Sequence, residues 1–200
     1  LAYVLIQKDI FVDIYHFKKK NLYNKSRTLG TSKSNIDYFN NKIINIDRIL
    51  WKIQNIKIYT EKDNNKELLE FDNKNNQIFS ILRNFQLQKI LLKNLKKNKF
   101  LKFKKNFDLN KTQYKLIINS DPNFPLMKKF FSKKIEKNYN SYAYTTTIIH
   151  KNIKNNTAFQ NFTKNGPLAF LPLSNSETSI VYSLRSTKKK TSPEMNDLIK

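Results

Sequence analysis

Cysteine is absent from all 200 residues. That excludes a disulfide framework, a Cys-based zinc site and a thiol nucleophile, and it fits a reducing compartment. Glycine occurs only twice, as Gly30 and Gly166. These residues therefore contain no G-x-G-x-x-G or Walker phosphate loop. No apolar run approaches the length that crosses a bilayer, and the opening residues show no signal-peptide pattern. Histidine is limited to His16 and His150, far apart and without neighbours at metal-ligand spacing, so each reads as an ordinary satisfied or exposed imidazole and no metal site is expected. No serine sits in a nucleophile-elbow pattern. Acids are also scarce: 15 against 38 Lys plus Arg, a net charge of +23.

Such a charge points to an anionic partner, either nucleic acid or membrane. Its distribution argues otherwise. Basic residues are scattered through every segment, whereas nucleic-acid binders gather them on one face or tail. Lys, Asn, Ile, Phe and Tyr share A- or T-rich codons, so coding bias accounts for the composition. Apolar residues make up 39% of the chain, with 15 Phe and 10 Tyr, enough for a core.

Residues 1–17 read as the end of an apolar helix feeding a strand from Ile10 to Tyr15, the second half of a βαβ unit. Residues 18–35 read as a polar loop, and "SNIDYFNNKII" as a short helix capped by Ser34 or Asn35. A turn at "KDNN" separates two strands in residues 53–76. The clearest helix spans residues 85–103, with Leu87, Ile90, Leu91, Leu95 and Phe100 on one face. "TQYKLIINSDPNF" reads as a short strand whose residues Lys115 to Ile118 are buried on both faces. A short helix follows in "PLMKKFFSKKI", then strands in "SYAYTTTIIH" and "ETSIVYSLRS". Residues 1–50 and 79–131 thus read as parts of a layered α/β domain. Residues 51–78 and 132–187 read as antiparallel sheet. Residues 188–200 read as a linker and the start of a helix.

One stretch departs from this monotony: "GPLAFLPLSNSETSIVYSL", residues 166–184, preceded by "NNTAFQNFTKN". It resembles the G-P-x-A-x-L-P segment, polar turn and S-x-V-W-like strand of the class A FAD-dependent aromatic-ring monooxygenases, closest to the ubiquinone-biosynthesis hydroxylases. Four further segments resemble that family in its own order: "LAYVLIQKDIFVDIYHF", "SRTLGTSKSNIDYF", "LRNFQLQKILL" and "KLIINSDPNFPLMKKFF". The resemblance implies a mixed α/β fold, with a Rossmann-type FAD/NAD(P)-binding domain interleaved with an antiparallel-sheet substrate domain. It implies FAD as cofactor, O2 as oxidant and NAD(P)H or another reductant as electron donor. The implied substrate is a prenylated aromatic ubiquinone precursor. The implied place is the cytoplasm, peripheral at the inner face of the membrane or in a ubiquinone-biosynthesis complex.

Residue by residue, the resemblance assigns Arg27, Gln88 and Asp121 to the cofactor. A guanidinium offers charge-assisted bonds to a phosphate or flavin oxygen, an amide both donates and accepts, and a carboxylate accepts from ribityl hydroxyls. Read without the resemblance, Asp121 is the turn residue of an Asp-Pro pair. Gly166, Pro167, Leu171 and Pro172 are assigned to the wall of the ring-binding cavity; read alone, they form a rigid strand connection.

The pattern also departs from the family. The glycine loop is expected before Leu1, and the G-D-A-x-H flavin segment after Lys200. His16 stands where the family has its ribose-binding acid. Pro122 and Pro125 stand at the glycine and serine of the family's D-G-x-x-S motif. Two alternatives therefore remain beside the enzyme: an inactive fragment or decayed relative, and a basic module for anionic membrane or nucleic acid.

Overall fold

The computed structural model describes residues 1–15, 25–63, 66–73, 76–108, 114–121, 124, 126–130, 135 and 137–186. His16, Pro122, Pro125 and the linker and helix expected over 188–200 lie outside the described residues. Helix α1 (Ala2–Ile6) leads to strand β1 (Val12–Tyr15), and β2 (Thr28–Ser32) runs into α2 (Lys33–Tyr38). Strands β3 (Trp51–Ile53), β4 (Asn55–Thr60), β5 (Lys66–Asp72) and β6 (Phe79–Arg83) precede helix α3 (Asn84–Leu95). Then come β7 (Leu101–Lys104), α4 (Leu126–Phe130) and four longer strands: β8 (Ser141–Ile149), β9 (Thr157–Thr163), β10 (Gly166–Ser174) and β11 (Glu177–Arg185).

These strands form three sheets. β1 and β7 make a parallel pair in which Val12 lies opposite Leu101 and Tyr15 opposite Lys104. Parallel neighbours need a long crossover, and here everything from β2 to α3 lies between them. Ile6, Leu95 and Leu101 bury one face of this pair, with Val12, Ile14 and Phe100 packed around them. A three-stranded sheet has the order β2-β6-β3, and a six-stranded sheet the order β5-β4-β9-β10-β11-β8. The six-stranded sheet is antiparallel except between β4 and β9, which run parallel. The two smaller-numbered strands join it as a hairpin from a distant part of the chain. Ile53, Ile81 and Ala158 are the buried centre of the seam between these two sheets, with Leu171 and Leu173 of β10 packed against it.

The fold corrects several sequence expectations. The stretch 166–174 is a strand of the sheet interior and not a connection between strands. A proline offers no N–H to a ladder, so interior strands normally exclude it. β10 tolerates two because each falls where a single neighbour pairs. Pro167 lies opposite Phe162 of β9, and the β11 ladder begins only at Leu168. Pro172 lies opposite Thr178 of β11, beyond the last β9 pair at Phe170, and next to a register shift.

The polar stretch 18–35 contains β2, held by its ladder to β6. Helix α2 is capped by Ser32 and not by Ser34 or Asn35; its hydroxyl accepts from the Asn35 N–H at 3.3 Å. The long helix ends at Leu95, not near Phe103. The Asn98 side chain accepts the Phe100 N–H at 2.8 Å, a local turn that competes with helix, and the chain continues as β7. Residues 115–118 are neither strand nor buried: Leu116, Ile117 and Ile118 are 72%, 40% and 54% exposed. An apolar run becomes a buried strand only where a ladder and a covering layer exist, and no described strand pairs with this one.

At Gly166 the six-stranded sheet leaves no room for a side chain. The glycine's φ is +138°, and a Cβ there would stand 1.9 Å from the Ser183 carbonyl oxygen. Gly30 is different, because a Cβ there would make ordinary 3.5 Å contact with the Phe79 ring. Gly166→Ala is therefore expected to lower stability by about 3 kcal/mol and Gly30→Ala by less than about 0.5 kcal/mol, measured by chemical denaturation.

Candidate functional site

In open α/β sheets, ligands bind beyond the carboxyl ends of the parallel strands. Here those ends are Tyr15 of β1 and Lys104 of β7, and they carry a polar cluster. Lys104 Nζ lies 2.7 Å from Asp13 Oδ2. The Tyr114 hydroxyl donates to the same carboxylate oxygen. Tyr114 has one proton, so its oxygen accepts from the Tyr15 hydroxyl at 2.8 Å and from Lys104 Nζ at 3.4 Å. Aromatic rings continue the cluster. Tyr15 meets Phe107 edge-on at 5.0 Å, and Phe107 meets Phe124 at 5.6 Å.

The charges shift one another. Burial raises the Asp13 pKa, but hydrogen bonds from Lys104 and Tyr114 and the positive charges of Lys104 and Lys102 outweigh it, leaving the carboxyl below its usual 3.8. Tyr114 is pushed up from 10.0 to about 12, by burial first and then by its bond to Asp13. Lys104 is raised by its bonds to Asp13 and Tyr114. Sequence reading missed this cluster. One signal was present: Asp13 sits mid-strand between Val12 and Ile14, where a carboxylate needs a partner. Nothing in the spacing pointed to Tyr114.

The residues expected to hold a cofactor fall into separate places. Arg27 is exposed just before β2, and its carbonyl accepts the Asn84 N–H at 3.0 Å. This ties the Arg27 backbone to the start of α3. Gln88 is half-buried one turn further along that helix. Arg27 and Gln88 are thus joined through one helix end. Asp121 is exposed, in a separate turn. Its N–H donates to Asn119 Oδ1 at 3.0 Å, and its carbonyl accepts from the Phe124 N–H at 3.1 Å. Phe124 reaches the carboxyl end of the parallel pair through Phe107 and Tyr15. Pro172 is fully buried, and Leu171 packs on the seam between the sheets.

The structure ties an exposed guanidinium and a half-buried amide to one helix start and sets an exposed carboxylate in a separate turn. It does not supply a pyrophosphate cradle, since neither glycine opens a helix. Among the described residues no cluster of three or more His, Asp or Glu side chains is arranged to hold a metal.

No protein-family model matches the chain, and no curated protein matches it in sequence. Solved structures do. A four-substitution variant of Pseudomonas aeruginosa PqsL matches with a TM-score of 0.74 at 12% identity, over 98% of this chain and 59% of that one. PqsL itself, "a probable FAD-dependent monooxygenase", matches at 0.68 with 12% identity, over 98% of this chain and 58% of that one. The tetracycline destructase Tet(51) matches at 0.56 with 14% identity, over 99% and 57%. The chain therefore has the mixed α/β fold of these structures, and spans under three-fifths of their length.

The cluster predicts a pH signature. The folded Tyr114 pKa lies above its unfolded value, so its contribution to stability is complete below pH 10.0 and is lost as pH rises through about 12. Asp13 runs the other way: its contribution is present above pH 3.8 and is lost as pH falls through its lower folded value. Spectrophotometric titration should show one phenol ionising near pH 12 that disappears in Tyr114→Phe.

Proposed function

We propose that this chain belongs to an FAD-dependent monooxygenase that hydroxylates an aromatic ring, with O2 as oxidant and NAD(P)H or another reductant as electron source. The observation that carries this reading is the match of 98% of the chain to the four-substitution variant of PqsL at a TM-score of 0.74. A structure of PqsL contains the aromatic compound 2-aminobenzoylacetate, which favours an aromatic substrate here. The five ordered sequence segments favour a prenylated ubiquinone precursor in particular.

FAD, when bound, supplies the oxygen-activating chemistry. The residues of this chain supply position and dryness. Arg27 holds an anionic or carbonyl oxygen of the cofactor by charge-assisted bonds. Gln88 donates and accepts from the first turns of α3, whose start is tied to the Arg27 backbone. Asp121 accepts from cofactor hydroxyls. Gly166, Pro167, Leu171 and Pro172 form a rigid wall: two φ angles are locked by proline, and Gly166 permits the close approach to β11. In this reading residues 1–50 and 79–131 serve the cofactor, and 51–78 and 132–187 serve the substrate. Among the described residues no helix is long and apolar enough to cross a membrane; a prenylated substrate would be met at the inner membrane face by peripheral contact.

Titration of the chain with FAD, followed by flavin fluorescence, tests this. The expected Kd is about micromolar or tighter, and Arg27→Ala or Gln88→Ala should each weaken it by roughly ten-fold. No saturable binding up to about 1 mM FAD would remove the cofactor reading and favour a relative that keeps the fold without the flavin.

A further inference from the structure

Two routes join the Asp121 turn to the same residue. On the N-terminal side, the segment begins at Tyr114, whose hydroxyl is held by Asp13, Tyr15 and Lys104. On the C-terminal side, the Phe124 N–H closes on the Asp121 carbonyl at 3.1 Å. The Phe124 ring then leans on Phe107, and Phe107 on Tyr15. Tyr15 therefore holds one end by its hydroxyl and the other by its ring. Between the anchors, Leu116 to Ile118 are exposed and make no strand ladder. Nothing regular in the secondary structure of residues 115–121 sets their course.

We propose that Tyr15, Tyr114 and Phe107 form a two-point latch that positions the Asp121 carboxylate at the carboxyl end of the β1–β7 pair. Tyr15 and Tyr114 are positioning residues and touch no reacting atom. The inference rests on the proposed cofactor role of Asp121, but the tether itself stands on geometry. Both parts of the latch are short-range. The hydroxyl route depends on a carboxylate kept charged by Lys104 at 2.7 Å. The ring route consists of edge-to-face contacts, which hold an orientation as well as a distance.

Two variants cut the routes separately. Tyr114→Phe keeps the ring and removes the hydroxyl that Asp13, Tyr15 and Lys104 share. Phe107→Leu keeps an apolar side chain and breaks the ring chain. Amide hydrogen exchange is measured in each, with circular dichroism to confirm the fold. Exchange of the Asp121 and Phe124 amides, which donate to Asn119 Oδ1 and to the Asp121 carbonyl, should rise about ten-fold in either variant, while β8 to β11 stay unchanged. Unchanged exchange of both the Asp121 and Phe124 amides in both folded variants would overturn the latch. If one variant does not fold, the other decides.

A second readout separates positioning from general loosening. In the otherwise unsubstituted chain, Asp121→Asn should weaken FAD about ten-fold; in the Tyr114→Phe background it should cost less than about two-fold, because the carboxylate is already misplaced. Equal losses in the two backgrounds would overturn the positioning role. If the unsubstituted chain binds no FAD, the cofactor reading and the positioning role fall together, and exchange alone then decides whether the tether exists.

Discussion

The two larger sheets depend on the apolar contact between them. Ile53 and Ile81 are fully buried there, and Ala158 nearly so. The three come from β3, β6 and β9, which are far apart in the chain. Burying such surface is favourable but has no direction. It would be satisfied by many registers of β10 against its neighbours. Gly166 narrows the choice, since β11 passes so close that any side chain at that point would strike the Ser183 carbonyl. The two prolines narrow it further, because each must fall where a ladder partner is missing.

Directional bonds complete what packing leaves open. Asn155 is buried, and the two protons of its Nδ2 are shared among the Ser174 carbonyl at 2.7 Å, the Thr178 hydroxyl at 3.0 Å and the Glu177 carbonyl at 3.2 Å. Its backbone carbonyl accepts from Trp51 Nε1 at 2.6 Å. His150 adds a bond to the Thr178 hydroxyl at 3.0 Å. Arg83, at the end of β6, meets Glu177 at 2.8 Å. The turn between β10 and β11 is thus tied to β3 and β6 by partners that no apolar contact could specify. His150 has a satisfied structural place, as an isolated histidine usually does.

The parallel pair follows a different logic. Its buried face resembles any small layered α/β unit, with helices α1 and α3 against two strands. Its carboxyl end is polar, and a carboxylate, an ammonium and two phenols share protons there. A sheet edge of this kind lies where α/β folds take ligands. The proposed function draws on that placement together with the shared fold.

Much of this was legible in the chain itself. Lack of cysteine, the helical spacing of Leu87, Ile90, Leu91 and Leu95, and the alternation after Glu177 are local properties that set local structure. The stretch 166–184 stayed legible because glycine and proline have few sterically acceptable substitutes, and with four other segments in the same order it indicated the fold. Tertiary structure decided the rest. Residues 115–118 have strand composition yet form no strand, since a strand needs a partner that composition does not name. Thr28–Ser32 look like a loop yet form one, because β6 supplies the ladder. The Asp13–Tyr114 bond joins residues on opposite sides of about a hundred positions. No periodicity encodes such a contact, and it exists only once β1 and β7 lie side by side.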